Sequence, residues 1–237
     1  MLMLCVDIPT WGGCMRITIV NGSPRRRGAT AKVLHAMQER AIVRWDAEVA
    51  YFDLGDYEMR YCDGCTSCYR TGRCHKDDGL EEVLDVLAAS EGLVLGTPTY
   101  ASNVSGVMKT FIDRGHFIME RALQGRHAVT VATGGNRGAG RALGVLRQLV
   151  VYSGGRVSDS ISAIQHFNTD PLADSHRRHR VERATDRLCS DILSPRHHPL
   201  QTMESSLVFN VGIKPHVLAE AEGYSAVIAS WKRRGID

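Results

Sequence analysis

No run of this chain is long and apolar enough to suggest a membrane span. The longest uncharged stretch, Gly92 to Met108, is interrupted by Pro98 and by Ser, Thr and Asn, which does not suit a bilayer-crossing helix. Met1 to Cys14 contain Asp7 and Pro9 and lack a basic start, so the pattern of a secretory signal is missing. These absences point to a soluble cytoplasmic protein. An excess of one charge is also missing: Lys and Arg total 29 against 26 Asp and Glu, a formal net charge of +3. No long basic tract stands out and aromatics make up only 6% of the chain, which argues against a nucleic-acid-binding surface. Absent too are G-x-x-x-x-G-K-[ST], G-x-G-x-x-G and G-x-S-x-G. Their absence removes a Walker loop, a Rossmann fingerprint and a Ser–His–Asp elbow.

What is present is ordinary globular chemistry: 237 residues, 43% hydrophobic and 23% charged. A chain of that length can bury roughly 70% of its unfolded surface and needs no disulfide framework. One domain, or one domain with an appendage, is expected. Seven cysteines are the odd feature, and four of them fall within Cys62 to Cys74. Without a secretory signal, such crowding argues for a metal or redox site.

The hydrophobic pattern alternates strand and helix. Arg16 to Val20 reads as a strand, followed by a helix with Val33, Leu34, Met37 and Ala41 on one face. A second strand fits Glu48 to Leu54, and the cysteine segment follows it. The next helix starts near Asp78, with Glu81 placed as in a capping box and Leu80, Val83, Leu84 and Leu87 inward. Gly92 to Leu95 is a buried third strand, and Val104, Val107, Met108 and Phe111 mark a third helix. His127 to Thr133 is a fourth strand, followed by a helix with Leu143, Leu146 and Val150, and Ser158 to Ile164 a fifth strand. This order predicts a doubly wound α/β fold with a five-stranded parallel sheet. In the last third, Asp170 and Pro171 open a helix with Val181, Ala184, Leu188 and Ile192 inward. Ser206 to Val211 is a candidate strand, and Ala219 to Arg234 a final helix.

In such a sheet the loops after the strands lie on one edge, where ligands bind. Three of them carry turn chemistry: Asn21 to Thr30, Thr97 to Ser105 and Thr133 to Gly140. The first leads into a helix N-terminus, where backbone N–H groups and the helix dipole favour an anion. Ser23 and Thr30 add hydroxyls, Gly28 permits close approach, and Arg25, Arg26 and Arg27 add positive charge. A phosphate site follows, with a solvated turn as the plain alternative.

Cys62-x2-Cys65-x2-Cys68-x5-Cys74 is the strongest signal. Thiolates at that spacing can converge on one centre, with Gly64 and Gly72 letting the loop fold around it. A compact run suits an iron–sulfur cube better than zinc, which usually takes two separated knuckles. Zinc, metal-free thiols and a redox disulfide pair stay open on spacing alone. Cys5, Cys14 and Cys189 match nothing in the motif, and Cys189 reads as a buried apolar residue.

Gly22-Ser23-Pro24-Arg25, Gly28-x-Thr30, Gly96-Thr97-Pro98-Thr99-Tyr100, Val104-Ser105-Gly106 and Lys109-x-Phe111-Ile112-Asp113-Arg114 resemble the flavodoxin-like NAD(P)H-dependent FMN reductases over Met15 to Ile164. The resemblance implies FMN. Its phosphate would lie on Ser23, Arg25, Gly28, Ala29 and Thr30. Its ring would lie between Pro98, Thr99, Tyr100, Ala101, Ser102 and Asn103 on one side and Thr133, Gly134, Gly135 and Asn136 on the other. Arg27 and Ala29 stand where the family often has Asn. Tyr100 reads equally as a ring contact or a half-buried aromatic. Lys109, Asp113 and Arg114 read as a helix-surface ion-pair set.

A four-cysteine motif after the second strand of this fold, followed by Asp77-Asp78, is similar to the iron–sulfur flavoproteins. That resemblance implies a 4Fe-4S cluster on Cys62, Cys65, Cys68 and Cys74, a cytoplasmic setting, and assembly into homodimers or homotetramers. It implies electron transfer with a redox protein such as ferredoxin; NAD(P)H is the alternative partner. Met15 followed by Arg-Ile-Thr-Ile-Val reads as a domain start, which divides the chain into an N-terminal extension (1–14), an FMN-binding domain (15–165) and a C-terminal extension (166–237) that aids oligomerisation. Two other readings remain: an NAD(P)H-dependent FMN or quinone reductase without a cluster, and a flavin- or zinc-binding module without turnover. His176, His179, His197 and His198 invite a metal reading. The run His176 to Arg180 fits a solvated charged face better, or a basic patch for an acidic partner.

Overall fold

The computed structural model describes residues 15–166 and 169–236. The extension expected over residues 1–14, with Cys5 and Cys14, lies outside them. β1 (Arg16–Asn21) leads into α1 (Ala29–Trp45), and β2 (Glu48–Asp53) into a 3-10 turn and the cysteine loop, which carries α2 (Ser67–Thr71). Then follow α3 (Leu80–Ala88), β3 (Gly92–Pro98), α4 (Gly106–Arg114), α5 (Phe117–Glu120), β4 (His127–Gly134), α6 (Ala139–Tyr152) and β5 (Arg156–Ile164). The rest is helical: α7 (Ser175–Leu193), α8 (Pro199–Leu207), a π-helical segment (Val208–Ile213), α9 (Lys214–Ala219) and α10 (Ser225–Arg233).

All strand pairs are parallel and the order is β2-β1-β3-β4-β5. This is the flavodoxin-like order, in which the chain reverses direction across the sheet between β1 and β3 and opens a crevice there. β1, β3 and β4 are almost wholly buried. Their Val, Ile, Leu and Ala content, with Thr18 and Thr130 buried among it, suits strands covered on both faces.

Leu34 and Met37 of α1 pack with Val181 and Leu188 of α7 against Ile17, Ile19, Val94 and Val129. On the other face Leu84 of α3, Phe111 of α4 and Leu146 of α6 meet Val20 and Leu95. Each such side chain, fully buried, contributes about 1.5–3 kcal/mol. α7 is tied to α1 by polar contacts as well: Arg40 grips Asp186 through Nε and Nη2 at 3.0 and 2.7 Å, and Trp45 Nε1 donates to the same carboxylate at 2.8 Å. So α7, although beyond residue 165, completes one layer of the sheet domain. A third cluster, Phe209, Ile213, Val217, Val227 and Trp231, packs around Tyr69 and Ile118.

Four local expectations change. Asp78 and Glu81 do not form a capping box: Gly79, at φ +81°, precedes α3, Glu81 turns to the Cys74 N–H, and Asp78 turns to Arg114 and the Arg60 N–H. The helix expected from Asp170 begins at Ser175, where Asp174 accepts the Arg177 N–H at 2.7 Å. The strand expected over Ser206 to Val211 is helical. A short apolar run does not separate the two states, and here Phe209 points inward while Leu207 and Val211 face out. The last helix starts at Ser225 instead of Ala219.

Candidate functional site

The three loops expected to converge do so over a cavity of about 510 Å³ at the carboxyl edge of the sheet. Its size lies within the usual range for small-molecule sites. Ser23, Arg25, Gly28, Ala29, Thr30, Pro98, Thr99, Tyr100, Thr133, Gly134, Gly135 and Asn136 all line it. Ala101, Ser102 and Asn103 do not. They form a tight reversal in which Tyr100 and Asn103 exchange backbone hydrogen bonds at 3.0 and 2.9 Å and Ala101 and Ser102 take positive φ. Arg27, Lys32, Gln165, His166 and Thr169 also line the cavity. Arg27 belongs to the arginine run already noticed, and Lys32 lies one turn into α1. Gln165 and His166 follow β5 and carry no local signal.

Each loop is held by identifiable bonds. The Gly22 N–H donates to the Gly96 carbonyl at 2.7 Å, and a Cβ on Gly22 would lie 2.7 Å from Met108 Cβ. Only glycine allows that crossing. Ser105 caps α4, accepting the Met108 N–H at 3.1 Å while its hydroxyl donates to the Gly22 carbonyl. Thr30 and Thr133 join hydroxyls at 2.7 Å, and the Thr99 N–H reaches the Thr133 carbonyl at 2.7 Å.

The cavity suits an anion joined to a ring. No side chain caps α1, so its first-turn N–H groups face the cavity beside Arg25, Arg27 and Lys32. Arg26 is turned away to Asp56 at 2.5 Å. The Thr99 hydroxyl is buried at the cavity wall without a partner among the described residues. A buried hydroxyl of that kind is the place for a ligand's polar edge. Tyr100 is half exposed and separates this cavity from a second one of about 240 Å³, lined by Tyr57, Met59 and Tyr61.

The cysteine loop lies beyond that second cavity. Cys62, Cys65, Cys68 and Cys74 are all free thiols, the first two exposed and the others half-buried. Left-handed backbone at Gly64, Thr66 and Gly72 turns the loop back on itself. Burial pushes the Cys68 thiol up to about 11, and the charges of Cys74, Cys62 and Cys65 push the same way. Cys68 thus lies within electrostatic reach of the other three thiols of the loop. Cys65 Sγ lies 3.3 Å from His75 Nδ1, and the Cys74 N–H donates to Glu81 at 2.7 Å. On one side the loop rests on α10, where Tyr69 stacks on Tyr224 at 5.3 Å and Ser225 donates to the Arg70 carbonyl.

On the other side stands Arg114, and here the sequence reading changes. Lys109 and Asp113 pair on the surface of α4 as expected, but the Arg114 side chain is fully buried and bonds Asp78 at 2.6 Å. Burial alone would raise the Asp78 pKa, but the hydrogen bond from Arg114, with help from the Arg60 N–H, holds it below the usual carboxylate value. The missed signal was position: Arg114 continues the face of Val107 and Phe111, which turns inward.

Among the described residues no helix is long and apolar enough to cross a membrane. His176 and His179 are exposed on α7, and His197 is exposed before α8. His198 is not: with His127 it faces the fully buried Asp191, at 3.9 and 3.8 Å, which Arg196 also grips. Cys189 is fully buried in the core.

Residues 15–169 match the model of the NADPH-dependent FMN reductase family. An iron–sulfur flavoprotein of Clostridioides difficile is 34% identical over 227 residues, covering 94% of this chain and all of that protein. Another, from Methanocaldococcus jannaschii, is 30% identical over 162 residues, covering 63% of this chain and 80% of that one. Among solved structures, the apo form of an NADH:FMN oxidoreductase superposes with a TM-score of 0.58 at 24% identity, over 79% of this chain and 94% of that one. The chain belongs to the NADPH-dependent FMN reductase family, among its iron–sulfur flavoproteins, and is an FMN-dependent oxidoreductase of flavodoxin-like fold.

Proposed function

We propose that this chain binds FMN in the 510 Å³ cavity, holds a 4Fe-4S cluster on Cys62, Cys65, Cys68 and Cys74, and passes electrons between a donor and an acceptor. Bound together, the two groups supply interconversion between paired and single electrons. The chain's own work is binding and placement. The uncapped end of α1, with Arg25, Arg27 and Lys32, takes the phosphate. Thr99, Tyr100 and the Thr133 to Asn136 loop take the ring. The observation that carries this reading is α4: its cap Ser105 bonds the Gly22 carbonyl of the phosphate loop, and its last residue, Arg114, bonds Cys74. One nine-residue helix, roughly 13 Å long, therefore fixes both sites.

A redox protein such as ferredoxin, or NAD(P)H directly, serves as donor in this reading, within a cytoplasmic setting. The sheet domain through α7 forms the flavin unit, and the helices beyond α7 serve assembly. Leu200, Met203, Leu207 and Val211 are all exposed on one face of the run from α8 into the π segment. That stripe supports pairing with a second copy of the chain, as a homodimer or as half of a homotetramer.

Anaerobic purification tests the reading. It expects about four iron and one FMN per chain, with broad absorbance near roughly 400 nm beside the flavin bands. Cys68→Ser should lose iron and keep FMN. Iron-free yellow protein that oxidises NADPH would instead establish the cluster-free reductase that the family description equally supports.

A further inference from the structure

Arg114 ends α4 and its side chain is fully shielded from water. A guanidinium in that position finds its acceptors on protein atoms, so the direction of the bonds it makes is informative. Nη1 donates to Asp78 Oδ2 at 2.6 Å and to the Arg60 carbonyl at 3.1 Å. Nη2 donates to the Cys74 sulfur at 3.2 Å and to the Lys76 carbonyl at 3.2 Å. Every one of these acceptors lies on the cysteine loop or at its edge. A core helix thus sends one cation into the loop and ends it on a single thiol.

We propose that Arg114 is a positioning residue for the metal centre, fixing Cys74 as a ligand and raising the centre's reduction potential, with Asp78 as its counterweight. The proposal rests on reading the four cysteines as iron–sulfur ligands. Reduction adds one negative charge to a thiolate-bound centre. A fixed cation and an N–H···S bond beside one ligand stabilise the more negative state, most of all where water is excluded. Asp78 holds the guanidinium in place and offsets part of its charge. The clamp is not saturated by protein: Arg114 Nε and Asp78 Oδ1 are both buried without a partner among the described residues. Since Ser105 anchors the other end of the same helix to the flavin-side loop, the orientation of Cys74 is tied to that loop and not only to its own.

The test is the cluster's midpoint potential in anaerobic protein, followed by electron paramagnetic resonance, with iron and FMN counted on the same samples. R114Q should lower the potential by about a tenfold change in the ratio of reduced to oxidised centre, which is about 59 mV for one electron. R114K, which keeps the charge but not the planar fork, should recover part of that fall. D78N should move the potential the opposite way, because the guanidinium then lacks its counterion. R114Q that loses iron and keeps FMN also supports the clamp. R114Q with unchanged iron and unchanged potential overturns it. Should R114Q fail to bind FMN as well, R114K and D78N decide, and potentials equal to wild type in both overturn the proposal. Absence of iron from the unmutated chain would sink the cluster reading itself, and is told apart by appearing before any substitution.

Discussion

The hydroxyl of Thr30, in the first turn of α1, lies 2.7 Å from the hydroxyl of Thr133 at the end of β4. Both groups are buried, so each is the other's replacement for water. Thr30→Val should therefore cost about 1–3 kcal/mol of stability by stranding Thr133. The double variant T30V/T133V should cost less than the sum of the two singles. Urea unfolding of the three variants measures this, and strict additivity would show that the pair is not coupled.

The cationic rim of the cavity makes a second prediction. Arg25→Gln or Lys32→Gln should weaken FMN binding roughly fivefold, about 1 kcal/mol. The effect should shrink at high salt, and riboflavin, which lacks the phosphate, should bind the variants as it binds wild type. Flavin fluorescence quenching reads all of this. Equal losses for FMN and riboflavin would remove the phosphate from this end of the cavity.

Assembly makes a third. Met203→Glu with Leu207→Glu places two charges on the exposed stripe of α8 without touching Phe209 or Ile213 inside. Light scattering after size exclusion should show the wild-type chain as a dimer or tetramer and the double variant as a smaller species. Unchanged mass would place the interface elsewhere.

Acid should destabilise the fold from the opposite edge of the sheet. Burial lowers the pKa of His127 and of His198 below the ordinary 6.5, outweighing the pull of Asp191, and Arg156 and Arg196 add to the lowering. Protons thus bind the unfolded chain more readily than the folded one between the lowered values and about 6.5. Stability should be level above that pH and fall as pH drops below it. Thermal unfolding from pH 8 to 5 follows the slope, and His198→Asn should flatten it. A wild-type melting temperature that holds level down to pH 5 would contradict the assignment.

Much of this was legible in the sequence because it rested on repetition. Leu80, Val83, Leu84 and Leu87 share a helical face by arithmetic, and they are buried together. The three turn-rich loops fell on one edge because parallel topology leaves them no other. What was not legible depended on partners far apart in the chain. Asp78 looks like a helix cap until Arg114, 36 residues on, claims it. Ala101 to Asn103 share a loop with Pro98 to Tyr100, but a reversal after Tyr100 takes them away from the cavity. The segment around Phe209 looks like a strand because local content cannot show that Trp231 will lie edge-on to it at 5.0 Å.

The rest that α10 gives the cysteine loop has a consequence for biosynthesis. Cys74 is made about 150 residues before Ser225, whose hydroxyl bonds the loop, and before the Tyr224 ring that stacks on Tyr69. At 5–20 residues per second, the interval is roughly 8 to 30 seconds. For that time the sheet can already be forming while one wall of the thiol loop has yet to be synthesised. The surroundings of the thiols are therefore complete only once α10 has been made, well after the cysteines themselves.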